Sequence, residues 1–190
     1  MLKDYLVVIM VMSVALAMDA FAVAITLGMN GSAHRIRDRL KVSTSFGFFQ
    51  GLLFVTGIIS LKFISGEVTA YNRLIAGVIL LILGVRMLKE AFEEPEVEHE
   101  IETSKRKDLS FKLLAMFGIA TSIDALAAGI TYGLIYDELI LATILISGVA
   151  FLFSYIGSSF GKKLGHIIGN KATIFGGIII ILLGIDTLFF

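Results

Sequence analysis

The 190 residues are 57% hydrophobic with a mean hydropathy of +0.91, while only 17% are charged and the formal net charge is zero. Soluble domains hold about 25% charged residues, so an ordinary globular domain is excluded, and the balanced charge excludes a nucleic-acid binder, which needs a basic surface. No cysteine is present, which removes disulfides and thiolate metal sites.

Six apolar runs are long enough to cross a bilayer, which takes roughly 20 residues at 1.5 Å each. In chain order they cover Tyr5–Gly28, Val42–Phe63, Asn72–Ala91, Phe111–Ile135, Leu139–Phe160 and Ala172–Phe190. The first is too long for the apolar region of a cleaved leader and contains Asp19, so it is read as a retained span. Connections fall at Asn30–Lys41, Ser65–Tyr71, Phe92–Ser110, Tyr136–Glu138 and Gly161–Lys171. Inside lipid the backbone must satisfy itself, and these runs do not alternate as barrel strands do. The expected fold is an all-α membrane protein, a bundle of six transmembrane helices.

Of the 16 Lys and Arg residues, 13 lie at connections one, three and five or the adjoining helix ends, whereas Lys3, Lys62 and Arg73 lie on the other side. By the positive-inside rule the first group faces the cytoplasm and both termini are extracytoplasmic.

The first and fourth spans repeat one another. Ser13–Met29 (SVALAMDAFAVAITLGM) aligns without gaps to Gly118–Leu134 (GIATSIDALAAGITYGL), matching Ala15/Ala120, Asp19/Asp124, Ala22/Ala127, Thr26/Thr131 and Gly28/Gly133. The third and sixth spans match more weakly, at Gly77/Gly177, Leu83/Leu183, Gly84/Gly184 and Leu88/Leu188. A unit of three spans is odd, so its second copy enters the membrane from the opposite face. The expectation is two inverted three-helix repeats, residues 1–92 and 111–190, joined by a charged cytoplasmic linker, 93–110, within one integral membrane domain. Inverted repeats place their binding site near the midplane, where the copies meet.

A carboxylate at the centre of a membrane helix costs about 2.5 to 3.5 kcal/mol on insertion scales. Asp19 and Asp124 incur that cost at equivalent depths, which points to use rather than accident, though a structural polar contact between helices is the plain alternative. Small neighbours (Ala15, Ala22, Ala120, Ala127) let helices approach and leave carbonyl oxygens reachable. Two carboxylates, the hydroxyls of Thr26 and Thr131 and carbonyl oxygens form a hard, oxygen-rich set suited to Mn²⁺ or Mg²⁺. Two negative charges balance one divalent ion, and exchange of that ion against protons is natural chemistry for membrane carboxylates. Both threonines have a second reading, a hydrogen bond to their own helix.

MDAFAVAI at Met18–Ile25, SIDALAAG at Ser122–Gly129, GFFQ at Gly47–Gln50, LGVRM at Leu83–Met87 and NKATIFGG at Asn170–Gly177 resemble the bacterial manganese efflux pumps, the MntP family, related to the LysE-type exporters. The resemblance covers essentially the whole chain. It implies six spans, a plasma-membrane location, Mn²⁺ export that protects against excess metal, and essential intramembrane aspartates, which carry over onto Asp19 and Asp124. It also carries the helix-two Gln onto Gln50 and the helix-three Arg onto Arg86. No cofactor is implied, Mn²⁺ being the transported substrate, and the partners are that ion and the lipid bilayer, with no nucleic acid. Two positions depart from the family pattern: Phe54 replaces a proline and Thr173 a glutamate. They leave open a divergent paralogue with another substrate or a sporulation-linked role.

The metal candidates are therefore Asp19, Asp124, Gln50, Thr26 and Thr131, and the gate or pathway candidates are Arg86, Thr121 and Ser122. Gln50 has the alternative of a simple interhelical hydrogen bond. Arg86 and Asp186 correspond in the repeat but, under inversion, fall towards opposite faces, so Arg86 is expected to reach the interface or close an inner gate. Gly157, Gly161, Gly165 and Gly169 recur every four residues, the mark of a close backbone contact or a kinked end. The acidic stretch within Phe92–Ser110 reads as a solvated linker, and His34 and His166 as ordinary connection residues. A LysE-like exporter of an amine or another cation would use the same aspartates. An intramembrane aspartyl protease would need a GxGD-type context, which Ala17-Met18-Asp19 and Ser122-Ile123-Asp124 lack. A non-transporting assembly factor would be indifferent to loss of the aspartates. With so few helices, a homodimer is also compatible with the chain.

Overall fold

Helices account for the regular structure of the computed structural model, which describes residues 2–29, 31–64, 72–92, 109–136 and 138–189, and no strand occurs among them. They are α1 (Leu2–Met29), α2 (Ile36–Ile64), α3 (Asn72–Phe92), α4 (Phe111–Ala120), α5 (Ile123–Ile135) and α6 (Leu139–Phe189). The acidic stretch between α3 and α4 and the His166 side chain lie outside the described residues.

Apolar residues run round every face of these helices, as expected of spans and not of amphipathic surface helices. Large side chains such as Ile140, Ile82 and Leu182 face outwards at 75%, 64% and 60% exposure, and so broad an apolar exterior needs a lipid cover. Leu6–Met29, Ile36–Ser60 and Leu139–Gly161 are long and apolar enough to cross a membrane, and α4 with α5 makes a fourth if the pair is one span. The sixth run, Thr173–Phe189, is apolar but shorter. α3 is long enough at 21 residues, yet Arg86, Lys89 and Glu90 crowd its last two turns.

Three sequence expectations need correction. α2 begins at Ile36, not Val42, so the first connection is short. There Gly31 turns the chain with a φ of 74°, a conformation that favours glycine, and Arg39 donates from Nε to the Ala33 carbonyl (3.1 Å) and from Nη2 to that of His34 (3.3 Å). The fourth run is not one helix: it breaks at Thr121–Ser122, where α4 and α5 meet with a 44° bend. The expected connection at Gly161–Lys171 is instead helical, and α6 continues through it for 51 residues.

That long helix is not straight. Extended, it would carry Gly176 about 22 Å beyond Gly161, past the end of α1. Instead Gly157 and Gly161 lie against Phe21 and Gly28 of α1, and Gly176 lies against Ala15 and Met18 of the same helix. α6 therefore passes α1 once in each direction, and its path reverses between Gly161 and Gly176.

Close backbone crossings join the elements. A methyl group on Gly157 would come within 2.8 Å of the Phe21 carbonyl oxygen, and Gly57 of α2 meets the Leu126 carbonyl of α5 in the same way. Phe21 and Leu126 are equivalent in the aspartate repeat. In α3 and the last arm of α6, a methyl added to Gly77 would lie 3.0 Å from the Gly184 carbonyl oxygen, and one added to Gly177 would lie 3.1 Å from that of Gly84. Gly84 in turn meets Ile181, and Gly184 meets Leu81. These two arms run antiparallel and touch through corresponding residues. Around the crossings a core of Ile9, Met12, Leu16, Phe54, Leu80, Met87, Tyr132, Ile146 and Ile180 closes the bundle.

Candidate ion site

Asp19 sits half-buried on α1, where the helix runs unbroken. Asp124 is only 5% exposed and lies in the first turn of α5, directly after the break. Thr121 ends α4: its N–H bonds to the Phe117 carbonyl at 2.9 Å and its hydroxyl donates to the same oxygen at 2.9 Å. Ser122 begins α5 with no side-chain cap bond, because its hydroxyl is used elsewhere. The break thus brings together the negative end of one helix dipole and the positive end of another. The positive end attracts negative charge, and the carbonyl end of α4 favours a cation beside it.

Gln50 of α2 is fully buried and hydrogen-bonded at both ends of its amide. Its Nε2 donates to the Leu16 carbonyl at 3.1 Å, and its Oε1 accepts from the Ser122 hydroxyl at 3.1 Å. Leu16 can offer only an acceptor, so the amide has one orientation. Leu16 precedes Asp19 by three residues and Ser122 precedes Asp124 by two, so one side chain ties together the approaches to both carboxylates. Its Oε1 keeps a second lone pair for a ligand.

Arg86 completes this cluster, with Nη1 at 3.6 Å from Asp124 Oδ1. Its place near the end of α3 predicts a reach to the interface or an inner gate; its side chain, 44% exposed, also reaches Asp124. This partner is not legible in the sequence, since the repeat aligns Arg86 with Asp186 and points to no residue of α5.

The two threonines differ. The Thr26 hydroxyl donates back to the Ala22 carbonyl of its own helix at 3.2 Å, the packing alternative raised by the sequence. Thr131 is 2% exposed and its Oγ1 has no hydrogen-bond partner, an uncommon state for a buried hydroxyl. Ser154, fully buried on α6, is a second such hydroxyl and carried no sequence signal beyond a polar residue in an apolar run. Among the described residues no group of three or more His, Cys, Asp or Glu could hold a metal. An ion at the aspartates would take its other ligands from hydroxyl, amide or main-chain oxygens. A cleft of about 690 Å³ between α2 and α4, bordered by Arg37, Lys41, Phe48 and Phe111, does not include either aspartate.

Comparison with known proteins gives one consistent result. The family described as "Putative manganese efflux pump" matches residues 33–188. A Methanobrevibacter smithii protein named "Putative manganese efflux pump MntP" is 39% identical over 183 residues, covering 96% of each chain. Proteins of the same name from Aliarcobacter butzleri (37% identical, 96% of this chain and 98% of the other) and Clostridium perfringens (36% identical, 91% and 89%) are similar along nearly their whole length. No solved structure matches. With a family match over most of its length and full-length relatives well above 30% identity, the chain belongs to the MntP manganese efflux pump family.

Proposed function

We propose that this protein exports Mn²⁺ from the cytoplasm across the plasma membrane in exchange for protons, and so protects the cell from manganese excess. The chain crosses six times as two inverted three-helix repeats, with both termini outside. Three features support that arrangement: the reversal of α6, the antiparallel contact of α3 with the last arm through corresponding glycines, and the matching crossings at Phe21 and Leu126. An antiparallel contact of equivalent helices through corresponding residues is what a two-fold axis in the membrane plane produces, which supports this reading.

Asp19 and Asp124 jointly hold the ion, with Gln50 Oε1 and the carbonyl end of α4 as further oxygen ligands. The observation that carries this reading is Gln50, one buried amide bonded to the approach of each aspartate. Discontinuous helices whose carbonyl ends face a midplane cation are a recurrent transporter device. Thr26 and Thr131 stand seven residues from their aspartates, about 10 Å along the helix, too far to share one coordination sphere with them. They belong to the pathway on either side, as Thr121 and Ser122 belong to the gate at the break.

Manganese content and growth in excess Mn²⁺ test the reading in cells lacking their own exporter and expressing wild type, Asp19→Asn or Asp124→Asn. Wild type lowers cellular manganese and both substitutions abolish the effect; in everted vesicles, collapsing the pH gradient slows Mn²⁺ movement. Wild-type expression that leaves cellular manganese unchanged refutes the metal assignment, and insensitivity to the pH gradient removes the proton coupling alone.

A further inference from the structure

We infer that Arg86 is a built-in competitor of the transported cation: guanidinium and metal hold Asp124 in turn, and displacement of Arg86 is a step of each transport cycle. The inference rests on the assignment of Asp19 and Asp124 to a divalent cation. It comes from the 3.6 Å approach of Arg86 Nη1 to Asp124 Oδ1 and from the unequal settings of the two partners. The Asp124 side chain is 6% exposed and fixed in the first turn of α5, whereas that of Arg86 is 44% exposed. The carboxylate cannot move away, but the guanidinium, on three flexible methylenes, can.

Charge arithmetic gives the exchange its direction. Asp19, Asp124 and a divalent ion sum to zero, and a guanidinium retained beside them leaves an excess positive charge in a low-dielectric site. With Arg86 on Asp124 and no divalent ion, the same group sums to one negative charge instead of two. Each cation therefore makes the other less favourable, and binding is antagonistic. Unpaired charge inside a membrane is costly, so an internal cation that covers the site between loads lowers the cost of emptying it.

The repeat argues that this is a device and not generic packing. α3 and the last arm of α6 touch through corresponding residues, Gly77 with Gly184 and Gly84 with Gly177. The position corresponding to Arg86 in that arm is Asp186, which is exposed. The two-fold scaffold thus brings a cation to the second-repeat aspartate from a position that carries a carboxylate in the other repeat. Arg86 acts through Asp124 and is a positioning residue, not a ligand.

The test is Mn²⁺ binding to the full chain in lipid nanodiscs, read from the loss of the free-ion electron paramagnetic resonance signal, beside Mn²⁺ efflux per molecule in vesicles. Arg86→Gln binds Mn²⁺ about 5- to 150-fold more tightly, the ordinary range of site coupling, and its turnover falls because release is no longer assisted. Arg86→Lys, which keeps a charge without the planar fork, shows a smaller gain in affinity and keeps more of the turnover. In the Asp124→Asn background, Arg86→Gln gives no gain. Unchanged or weaker binding by Arg86→Gln overturns the inference; if that variant does not fold, unchanged or weaker binding by Arg86→Lys does. Should wild type bind no Mn²⁺ in this assay, the assignment of the aspartates fails and the inference with it. Wild-type binding with no effect of Arg86 defeats the inference alone.

Discussion

Gly57→Ala adds a single methyl group where α2 crosses α5, and the structure allows its cost to be worked out. The new carbon would overlap the Leu126 carbonyl oxygen and lie 2.9 Å from the Ile130 nitrogen and 3.1 Å from the Leu126 carbonyl carbon. All three are backbone atoms, so no side chain can swing aside. Ordinary carbon contacts need about 3.5 Å or more, and the helices must part by about 1 Å. Overpacking of this kind costs about 1–3 kcal/mol, offset by the gain of about 0.8–1 kcal/mol from replacing glycine by alanine in a helix. With backbone on both sides the cost falls in the upper part of its range, for a net loss of about 1–2 kcal/mol, or a melting temperature lower by about 2–8 °C for a chain of this size. Transport should suffer more than stability. Gln50 lies two turns along α2 from Gly57, and its 3.1 Å bond to Ser122 does not survive a further ångström. Gly148→Ala is the control, since a methyl there meets nothing within 4 Å, and it should melt no lower than wild type and export normally. Thermal unfolding of both variants in nanodiscs, with Mn²⁺ efflux from vesicles, decides the matter. If Gly57→Ala melts and exports like Gly148→Ala, the crossing does not set the site.

Gln50→Leu removes both hydrogen bonds and strands the buried Ser122 hydroxyl; with membrane hydrogen bonds averaging about 0.6 kcal/mol and an unmet group costing about 1–3 kcal/mol, it should lose about 1–3 kcal/mol in thermal unfolding and most of its efflux. Thr131→Val discards a hydroxyl with no hydrogen-bond partner, so the melting temperature should hold or rise by the equivalent of up to about 1 kcal/mol while efflux falls. A lower melting temperature would instead reveal that the hydroxyl is bonded.

The aspartate pair was legible because a charge in hydrocarbon stands out against its neighbours, and the duplicate of Asp19 at Asp124 marks depth as well as identity, whereas Gln50 came from the family resemblance. Of the crossing glycines, Gly157 and Gly161 were visible as a spacing and Gly77, Gly84, Gly177 and Gly184 as matches between the third and sixth runs, whereas Gly57 carried no such mark. What could not be read was the break at Thr121–Ser122. The local difference is a pair of adjacent hydroxyl residues, weaker helix formers than Leu and Ala. The bond from Thr121 to Phe117 is not itself the cause, since Thr26 and Thr143 bond their own helices in the same way without breaking them. The corresponding Leu16-Ala17 pair in α1 consists of strong helix formers, and that helix continues. The Arg86–Asp124 pair was hidden for another reason. Counting from the end of α3 gives the depth of the Arg86 backbone but not the direction of a long side chain, and that reach decides its partner.

Backbone equivalence and chemical inequivalence together bear on direction. Two repeats that met with identical side chains would present one site alike to both faces of the membrane, and a bound ion would have no preferred exit. Here the backbone contacts correspond, at Phe21 and Leu126 and at Gly77 and Gly177, while the chemistry does not. One aspartate stands on an unbroken helix, half-buried, and the other at a helix start, against an arginine. On the proposed reading, an ion held by both carboxylates sits between one fixed by continuous helix and one that directly follows the 44° break, whose charge Arg86 can cover as the ion departs. Gln50, hydrogen-bonded to the Leu16 carbonyl and to the Ser122 hydroxyl, links the approaches of the two aspartates across that break.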